Sequence, residues 1–338
     1  MVNVTVVGAS GYLGAELLRI LVNHPKVEEI VPVSRRLSGK PVSSLHRNLL
    51  NVFNNEFVDL NLDEIDCDVA FFAAPPGEWF NSLPDLIDKG VKVITLGGKF
   101  RIKDAEIDGR VYGGYVNKEL LSERVYGLPE VYKKEIRKAR FVTNPGCYPV
   151  SIILGVMPLG RYRDKIDLKK IVVTAITGTS GVGAAPSKNM HHPEVSGNIK
   201  PYNVLFHRHR PEIEFILNES FGEVNISFTP IIADMRRGIL SNTTLFADSI
   251  SDLGSHYERY YRDEPFVRVT PEIPCVANVV GSNFCDVMVE YDPDSKRIIV
   301  ISTIDNLIKG GSGQAVQNMN IMMDFDEKMG LDLIGGHP

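Results

Sequence analysis

A strand that feeds directly into a glycine turn and then a helix restricts this chain's fold more than any other feature. The strand reads VNVTVV (Val2–Val7), and Gly8-Ala9-Ser10-Gly11-Tyr12-Leu13-Gly14 follows without a gap. Leu13, Leu17, Leu18 and Leu21 then recur at helical spacing until His24-Pro25 stops the pattern. A second strand is expected at Val27–Val33, completing a βαβ unit long enough for a right-handed parallel crossover. DVAFFAA (Asp68–Ala74), a helix-like stretch at Glu78–Asp88 with a stop at Gly90, and VKVITLG (Val91–Gly97) repeat the alternation. Strands of this kind, apolar on both faces, belong to a parallel sheet covered by helices.

After about Gly146 the pattern changes. Longer strands are expected at Lys170–Thr177, Glu223–Ile232, Ile239–Ala247 and Phe284–Tyr291, the last joined to Arg297–Ile304 through the hairpin signal Asp292-Pro293-Asp294-Ser295. Gly313–Met323 places Ala315, Val316, Met319, Met322 and Met323 on one helical face, which is expected to bury against the first domain. A length of 338 residues also suggests two domains. The expected fold is therefore an α/β Rossmann-type parallel-sheet domain, residues 1–146 and 312–338, plus an α+β domain with a largely antiparallel sheet, residues 147–311.

Composition narrows the partners. With 37 Lys+Arg against 42 Asp+Glu the net charge is -5, which supplies no bulk field for nucleic acid or an anionic membrane. Apolar runs such as Met1–Val7 and Ser151–Leu159 are too short for a membrane span or a signal core. Cys67, Cys147, Cys275 and Cys285 form no CxxC pair and no disulfide framework, so a reducing, cytoplasmic setting is expected.

Glycines between the first strand and first helix permit a tight turn and close approach of a pyrophosphate, whose charge the helix N-terminus stabilises. Gly8, Ser10, Gly11, Tyr12, Leu13 and Gly14 are thus candidate dinucleotide contacts. At the end of the second strand, where an acidic residue would read a ribose 2′-hydroxyl, the chain has Ser34-Arg35-Arg36. Two guanidiniums suit a 2′-phosphate, so the expected cofactor is NADP(H).

Asn144-Pro145-Gly146-Cys147-Tyr148-Pro149 opens the apolar segment Val150–Leu159. A cysteine at a helix start feels unsatisfied N–H groups that favour its thiolate, which makes Cys147 the candidate nucleophile. Cys67, Cys275 and Cys285 read as packing residues. His24, His46, His256 and His337 read as surface residues, whereas His191-His192 and His207-Arg208-His209-Arg210-Pro211-Glu212 are clustered. Neither cluster has convincing metal spacing, and no metal site is expected. An imidazole near neutrality, oriented by Glu212, is the better use.

These motifs, with Gly178–Ser187, HRHRPEIE, MRRGIL and IDNLIKGGSGQAVQNMN, occur in order along nearly the whole chain. Together they resemble the N-acetyl-γ-glutamyl-phosphate reductase family, relatives of aspartate-semialdehyde dehydrogenase. HHPEVSGNIKPY (His191–Tyr202) and SRRLSGKPV resemble most the branch that works in lysine biosynthesis on aminoadipate phosphate, or glutamate phosphate, held on a small acidic carrier protein. The chain departs from the family at Gly98-Lys99, where Ala-Asp is usual before Phe100-Arg101, and at Pro76-Gly77, where His-Gly is usual.

The resemblance implies reduction of an amino-blocked acyl phosphate to its semialdehyde, by way of a thioester on Cys147 and hydride from NADPH. It implies His209 as proton carrier, with His207 assisting and Glu212 orienting the pair. Backbone N–H groups at the helix start are candidates for an oxyanion site. It places Asn306 near the nicotinamide, and Ser180 and Gly181 read as a substrate or nicotinamide loop. A homo-oligomer, dimer or tetramer, is expected through the antiparallel sheet. Lys188, Lys200, Arg208 and Arg210 are the basic residues that would steer an acidic carrier. The rival readings are an NADP-sensing regulator and a nonphosphorylating aldehyde dehydrogenase.

Overall fold

The computed structural model describes residues 1–61, 64–75, 77–114 and 116–336, the Glu78 side chain excepted. Pro76 and His337, both singled out in the sequence, lie outside the described residues. Two units of chain each carry their own sheet. The first is Met1–Pro145 with Gly311–Asp332, and the second is Gly146–Gly310 with the stretch from Leu333. Gly336 N–H, for example, donates to Val280 O in the second unit. Among the described residues the α-helices of ten or more residues are α1 (Tyr12–Leu21), α2 (Pro129–Lys138), α3 (Cys147–Val156), α4 (His209–Phe221) and α5 (Gly313–Met322).

In the first unit β1 (Val2–Val7), β2 (Val27–Val33), β3 (Val69–Phe72), β4 (Lys92–Thr95), β5 (Val125–Tyr126) and β6 (Phe141–Thr143) form one parallel sheet in the order β2-β1-β3-β4-β6-β5. The central strand β3, VAFF, is apolar on both faces and every residue of it is buried. The chain leaves β1 for β2 on one side and returns to β3 on the other, a topological switch point at which parallel sheets bind ligands. Gly8 ends β1 with φ +83°, and a methyl group there would stand 2.7 Å from Ala74 N. Only glycine lets the end of β1 run this close to the backbone that follows β3. The expected helix at Glu78–Asp88 is a 3₁₀ turn (Glu78–Ser82) leading into a short α-helix, Leu83–Asp88.

The α5 helix differs from its expected pattern. All ten of its residues are buried, not one face alone. Its polar residues tolerate this because their amide N–H groups are hydrogen-bonded within the unit, although the buried Gln314 Oε1 and Asn318 Oδ1 find no partner among the described residues. Gln314 Nε2 and Asn318 Nδ2 both donate to Gly127 O at 2.9 Å, and Asn320 Nδ2 donates to Met329 O at 2.9 Å. Periodicity counts apolar side chains and does not see such pairs. His24 likewise proves buried, at 3% exposure, where the sequence suggested a surface residue. Its Nε2 bonds Asn320 Oδ1 at 2.9 Å, and burial pushes its pKa down.

In the second unit β7 (Ile171–Thr177), β8 (Ile199–Pro201), β9 (Ile226–Ala233), β10 (Ile239–Phe246), β11 (Val267–Val269), β12 (Cys285–Asp292) and β13 (Arg297–Ile304) form a sheet in the order β11-β12-β13-β10-β7-β9-β8. Its β11–β12 and β7–β9 pairs are parallel and the rest antiparallel. Alternation is clear in β7, where Ile171, Val173, Ala175 and Thr177 are buried while Val172, Thr174 and Ile176 face the other way.

Against the buried face lies α3, whose residues from Tyr148 to Val156 are all buried. Three buried hydroxyls pin it there. Ser151 Oγ lies 2.9 Å from Ser241 Oγ on β10 and 2.8 Å from Ser302 Oγ on β13, and those two are 2.7 Å apart. The four cysteines form no disulfide. Cys285 is buried and Cys67 half-buried, but Cys275 is exposed, so the packing role expected for it fails. It lies in a turn that no strand carries into the core.

Candidate active site

The glycine turn after β1 is held from the end of β2. Gly8 N–H and Ala9 N–H both donate to Val33 O at 3.1 Å, and Gly11 N–H donates back to Gly8 O at 3.0 Å. Gly11 caps α1 without any side-chain hydrogen bond, which leaves the helix N-terminus open to an anion. Ser34 is buried and its Oγ donates to Ser10 Oγ at 3.0 Å. Tyr12 and Leu13 begin α1, and Gly14 packs against the Gly8–Ala9 backbone. Arg35 and Arg36 follow β2 in a 3₁₀ turn with both side chains exposed, and Arg35 meets Asp59 at 3.6 Å. His46, expected at the surface, is half-buried and bonds Ala9 O at 2.8 Å.

Buried polar groups hold the loop that follows β6. In the first unit Asn144 Nδ2 donates to Gly311 O at 3.0 Å, and its Oδ1 accepts from Asn318 Nδ2 at 3.0 Å. Arg101, also buried, donates through Nε to Asn144 O at 2.8 Å and through Nη2 to Leu96 O at 3.0 Å. Asp108 in turn accepts from the Phe100 and Ile102 N–H groups on either side of Arg101.

In the second unit Cys147 is the first residue of α3 and half-buried. The fully buried Glu212 accepts the Gly146 N–H on Oε1 at 2.9 Å. The sequence assigned Glu212 to the histidines, and this bond in addition ties α4 to the residue that precedes the cysteine. The His209 imidazole lies on the same residue, so that a methyl group at Gly146 would meet Nε2 at 2.5 Å. Any larger residue at Gly146 would make this imidazole shift. Gly310 closes the other side, where an added methyl would stand 2.8 Å from Cys147 Cβ. Its N–H reaches back five residues to Asp305 O at 2.9 Å, a π-type turn of the sort common at functional sites. Pro149 has no N–H and Gly146 N–H is taken by Glu212, so Cys147 and Tyr148 supply the N–H groups of the first turn.

An aromatic wall stands behind the cysteine. The His207 and His209 rings are 4.9 Å apart and nearly perpendicular, and Tyr148 and Tyr202 each meet His207 edge-on at 5.4 Å. Tyr202 O–H donates to Tyr148 Oη at 3.2 Å. Burial raises both phenols, Tyr202 to about 12 and Tyr148 further, so both remain protonated. His207 Nδ1 accepts the His209 N–H at 3.3 Å, which leaves the ring proton on Nε2. Burial, aided by Arg208, pushes the His207 pKa down to about 4. His207 is therefore a neutral packing partner of His209 at pH 7. Tyr148 was legible within NPGCYP, whereas Tyr202 stood at the end of HHPEVSGNIKPY with no role assigned to it.

Asn306 is buried and bridges two loops. Its Oδ1 accepts Gly238 N–H at 2.7 Å and its Nδ2 donates to Ser180 Oγ at 3.0 Å. Gly181 follows Ser180 in the same 3₁₀ turn. The fully buried Asp305 pairs with Arg237 at 3.0 Å and accepts the N–H groups of Gly281 and Leu307. Among the described residues no cluster of His, Cys, Asp and Glu has the arrangement to hold a metal ion, and no helix is long and apolar enough to cross a membrane.

Residues 3–139 match a family model described as "Semialdehyde dehydrogenase, NAD binding domain", and residues 147–306 match "Semialdehyde dehydrogenase, dimerisation domain". Fold and site thus define a semialdehyde dehydrogenase. Aspartate semialdehyde dehydrogenase II from Vibrio cholerae superposes with a TM-score of 0.72 at 18% identity, over 96% of this chain and 99% of that one. The Candida albicans enzyme with NADP gives 0.69 at 15% identity, over 96% and 98%. At the level of sequence the relatives are narrower in kind. The proteins named N-acetyl-gamma-glutamyl-phosphate reductase from Methanosarcina barkeri and Methanopyrus kandleri are 43% and 44% identical, over 98% of both chains and 100% of both chains respectively. The chain belongs to the N-acetyl-γ-glutamyl-phosphate reductase family.

Two predictions follow from the geometry around Gly146. Gly146→Ala is expected to lower kcat/KM about 100-fold, because an ångström of displacement at a reacting group costs that much. Steady-state rates check it, and activity within threefold of the parent would show that the imidazole has room to move. The second concerns acid. An unfolded His207 binds its proton near 6.5 and the folded one near 4, so its share of stability is full above 6.5 and is lost as pH falls toward 4. That share is about 3 kcal/mol by the same linkage. Urea unfolding between pH 4 and 7 should show a shallower acid loss in His207→Gln, and parallel curves would refute the assignment.

Proposed function

We propose that this protein reduces N-acetyl-γ-glutamyl phosphate to its semialdehyde with NADPH and releases phosphate, a step of arginine biosynthesis. The observation that carries the proposal is Cys147 at the start of α3 with the His209 imidazole lying on the residue before it. Cys147 Sγ gives its proton to His209 and attacks the acyl carbon, and the carbon–oxygen bond to phosphate breaks. NADPH, when bound, would supply the hydride that reduces the resulting thioester. First-turn N–H groups of Cys147 and Tyr148 hold the negative oxygen as it develops. The carbon–sulfur bond then breaks, which frees the aldehyde and returns the thiolate to Cys147. His209 carries the proton, while His207 and Glu212 act by fixing His209 and Gly146.

The residues at the first sheet's switch point fit the cofactor. The turn of Gly8, Ser10, Gly11, Tyr12, Leu13 and Gly14 would hold the pyrophosphate at an uncapped helix N-terminus, and Arg35 and Arg36 the 2′-phosphate, while Ser34, whose hydroxyl is given to Ser10, would act through that turn. Ser180 and Gly181 would meet the nicotinamide side, with Asn306 holding Ser180 in place. On this reading the first unit is the NADP-binding domain and the second the catalytic one. The chemistry needs a phosphate exit, which separates it from a nonphosphorylating aldehyde dehydrogenase. It also gives Cys147 and His209 work that a nucleotide-sensing regulator would not need.

A carrier-bound substrate, glutamyl or aminoadipyl, is the second reading. It is favoured by the exposed Ile199, Leu205 and Phe206, which lie in the stretch before His207 with Lys188, Lys200 and Arg208 nearby in sequence. Against it, Arg210 is engaged by Glu214 at 3.0 Å and Lys200 by Asn189 O at 2.8 Å, which thins the basic patch. The second sheet also presents a face bearing Val172, Ile176, Ile231, Leu240, Ile299 and Ile301, which suits a second copy of the chain.

Cys147→Ser is expected to abolish turnover while NADPH binding stays within twofold, as measured by steady-state assay and fluorescence titration. Activity within tenfold of the parent would sink the nucleophile. For the substrate, acetyl-blocked glutamate semialdehyde with phosphate is expected to give the higher kcat/KM at every ionic strength. A carrier-bound form that wins at low salt and loses its lead as salt rises would reverse the choice. Sedimentation of the purified chain is expected to show a dimer or larger, and a monomer at micromolar concentration would rule out the proposed face.

A further inference from the structure

We propose that His46 is a positioning residue for the dinucleotide, one that acts by holding the Ala9 carbonyl and so aims the Ser10 amide at the pyrophosphate. The inference rests on the dinucleotide reading of the glycine turn and concerns a residue that no motif in the turn contains.

His46 sits where a short helix, Val42–Leu45, meets a 3₁₀ turn, Arg47–Leu49. The segment that carries it leaves β2 at Ser34 and folds back on itself. Val42 N–H donates to Asn55 O, Phe57 N–H to Lys40 O and Gly39 N–H to Phe57 O, all at 2.8 to 2.9 Å. Its return is anchored to the sheet, since Val58 bridges Val33 and Ser34 N–H donates to Val58 O at 2.9 Å. The His46 ring rests edge-on against the fully buried Phe57 at 5.9 Å. One polar contact results, from Nε2 to Ala9 O at 2.8 Å. Because a carbonyl only accepts, Nε2 carries a proton, as it does in both the Nε2–H neutral tautomer and the imidazolium.

The consequence follows from peptide geometry. In a trans peptide the C=O and N–H point in opposite directions, so holding Ala9 O toward His46 turns Ser10 N–H away from it. In the turn the amides of Gly8, Ala9 and Gly11 are spent, the first two on Val33 O and the third on Gly8 O. Among the described residues no protein acceptor takes Ser10 N–H. The Ser10 hydroxyl is prepared in the same sense, because it accepts from Ser34 and so keeps its own hydrogen to donate. Two donors of one residue are thus set for an anion, one by His46 and the other by Ser34. From Ser34 to Asn55 the sequence has no acidic residue, so nothing in this segment repels that anion.

A residue that acts through the pyrophosphate serves both nicotinamide cofactors, whereas one that touches the 2′-phosphate serves NADPH alone. The test uses the purified full-length chain and titrates NADPH and NADH by nicotinamide fluorescence, alongside steady-state rates. His46→Phe keeps the ring on Phe57 but removes the donor, and it should weaken both cofactors about tenfold. KM for NADPH should rise by the same factor while kcat changes less than threefold. His46→Gln restores an N–H at similar reach and should bind both within threefold of the parent. Arg35→Ala with Arg36→Ala, by contrast, should weaken NADPH selectively.

Phe and Gln variants that bind alike, or a His46→Phe loss confined to NADPH, would overturn the inference while leaving the dinucleotide reading intact. A parent chain that binds neither cofactor would overturn both. If His46→Phe does not fold, Ser34→Ala removes the companion strap. A loss of both cofactors in that variant, undone by Ser34→Thr, supports the same aiming of Ser10, and unchanged binding refutes it.

Discussion

The hydrogen bond from Gly146 N–H to the buried Glu212 governs the second unit, because it joins the residue before Cys147 to a helix far along the chain. A side chain with no solvent exposure is costly to leave unpaired, so the pair holds α4 against the start of α3. His209 follows from that placement. It lies one turn-forming proline and one arginine before Glu212 on α4, which puts its imidazole onto Gly146. That contact brings the His209 imidazole onto the residue before the thiol, where a methyl group at Gly146 would meet Nε2 at 2.5 Å.

Polar groups elsewhere are buried on the same terms. Asp305 gathers Arg237 and the N–H groups of Gly281, Leu307 and Ile308, and so joins three loops around the Asn306 amide. In the first unit α5 buries Gln314, Asn318 and Asn320 among the backbone carbonyls of Gly127 and Met329. Such networks fix geometry more than they add stability, since each bond replaces one made to water and a missing partner is heavily penalised. They account for a feature that hydrophobic periodicity alone makes puzzling. The helix with the most buried circumference in the first unit is rich in amides.

In neither unit does the candidate reactive or binding group stand alone. The glycine turn is strapped by Val33, Ser34 and His46, and Cys147 is bounded by His209, Gly310 and the first turn of α3. Preorganisation of this kind spares a ligand the entropy of ordering its own site. The neutral His207 fits the scheme, because an uncharged ring beside His209 adds shape without competing for its proton.

The sequence by itself determined the parts whose signals are local. The strand–turn–helix at Val2–Leu21, the switch to longer alternating strands after Gly146, the hairpin at Asp292–Ser295 and the cysteine in NPGCYP all depend on neighbours within a few residues. Of the candidate site, Cys147, the HRHRPE cluster and the glycine turn were legible for that reason. Tertiary structure decided what depends on distant partners. It gave Glu212 to Gly146, made His207 neutral, buried His24 beside Asn320 and brought His46 to Ala9. These pairs are separated by 37 to 296 residues or arise from burial, and hydrogen bonding and desolvation act only once folding has brought the groups together.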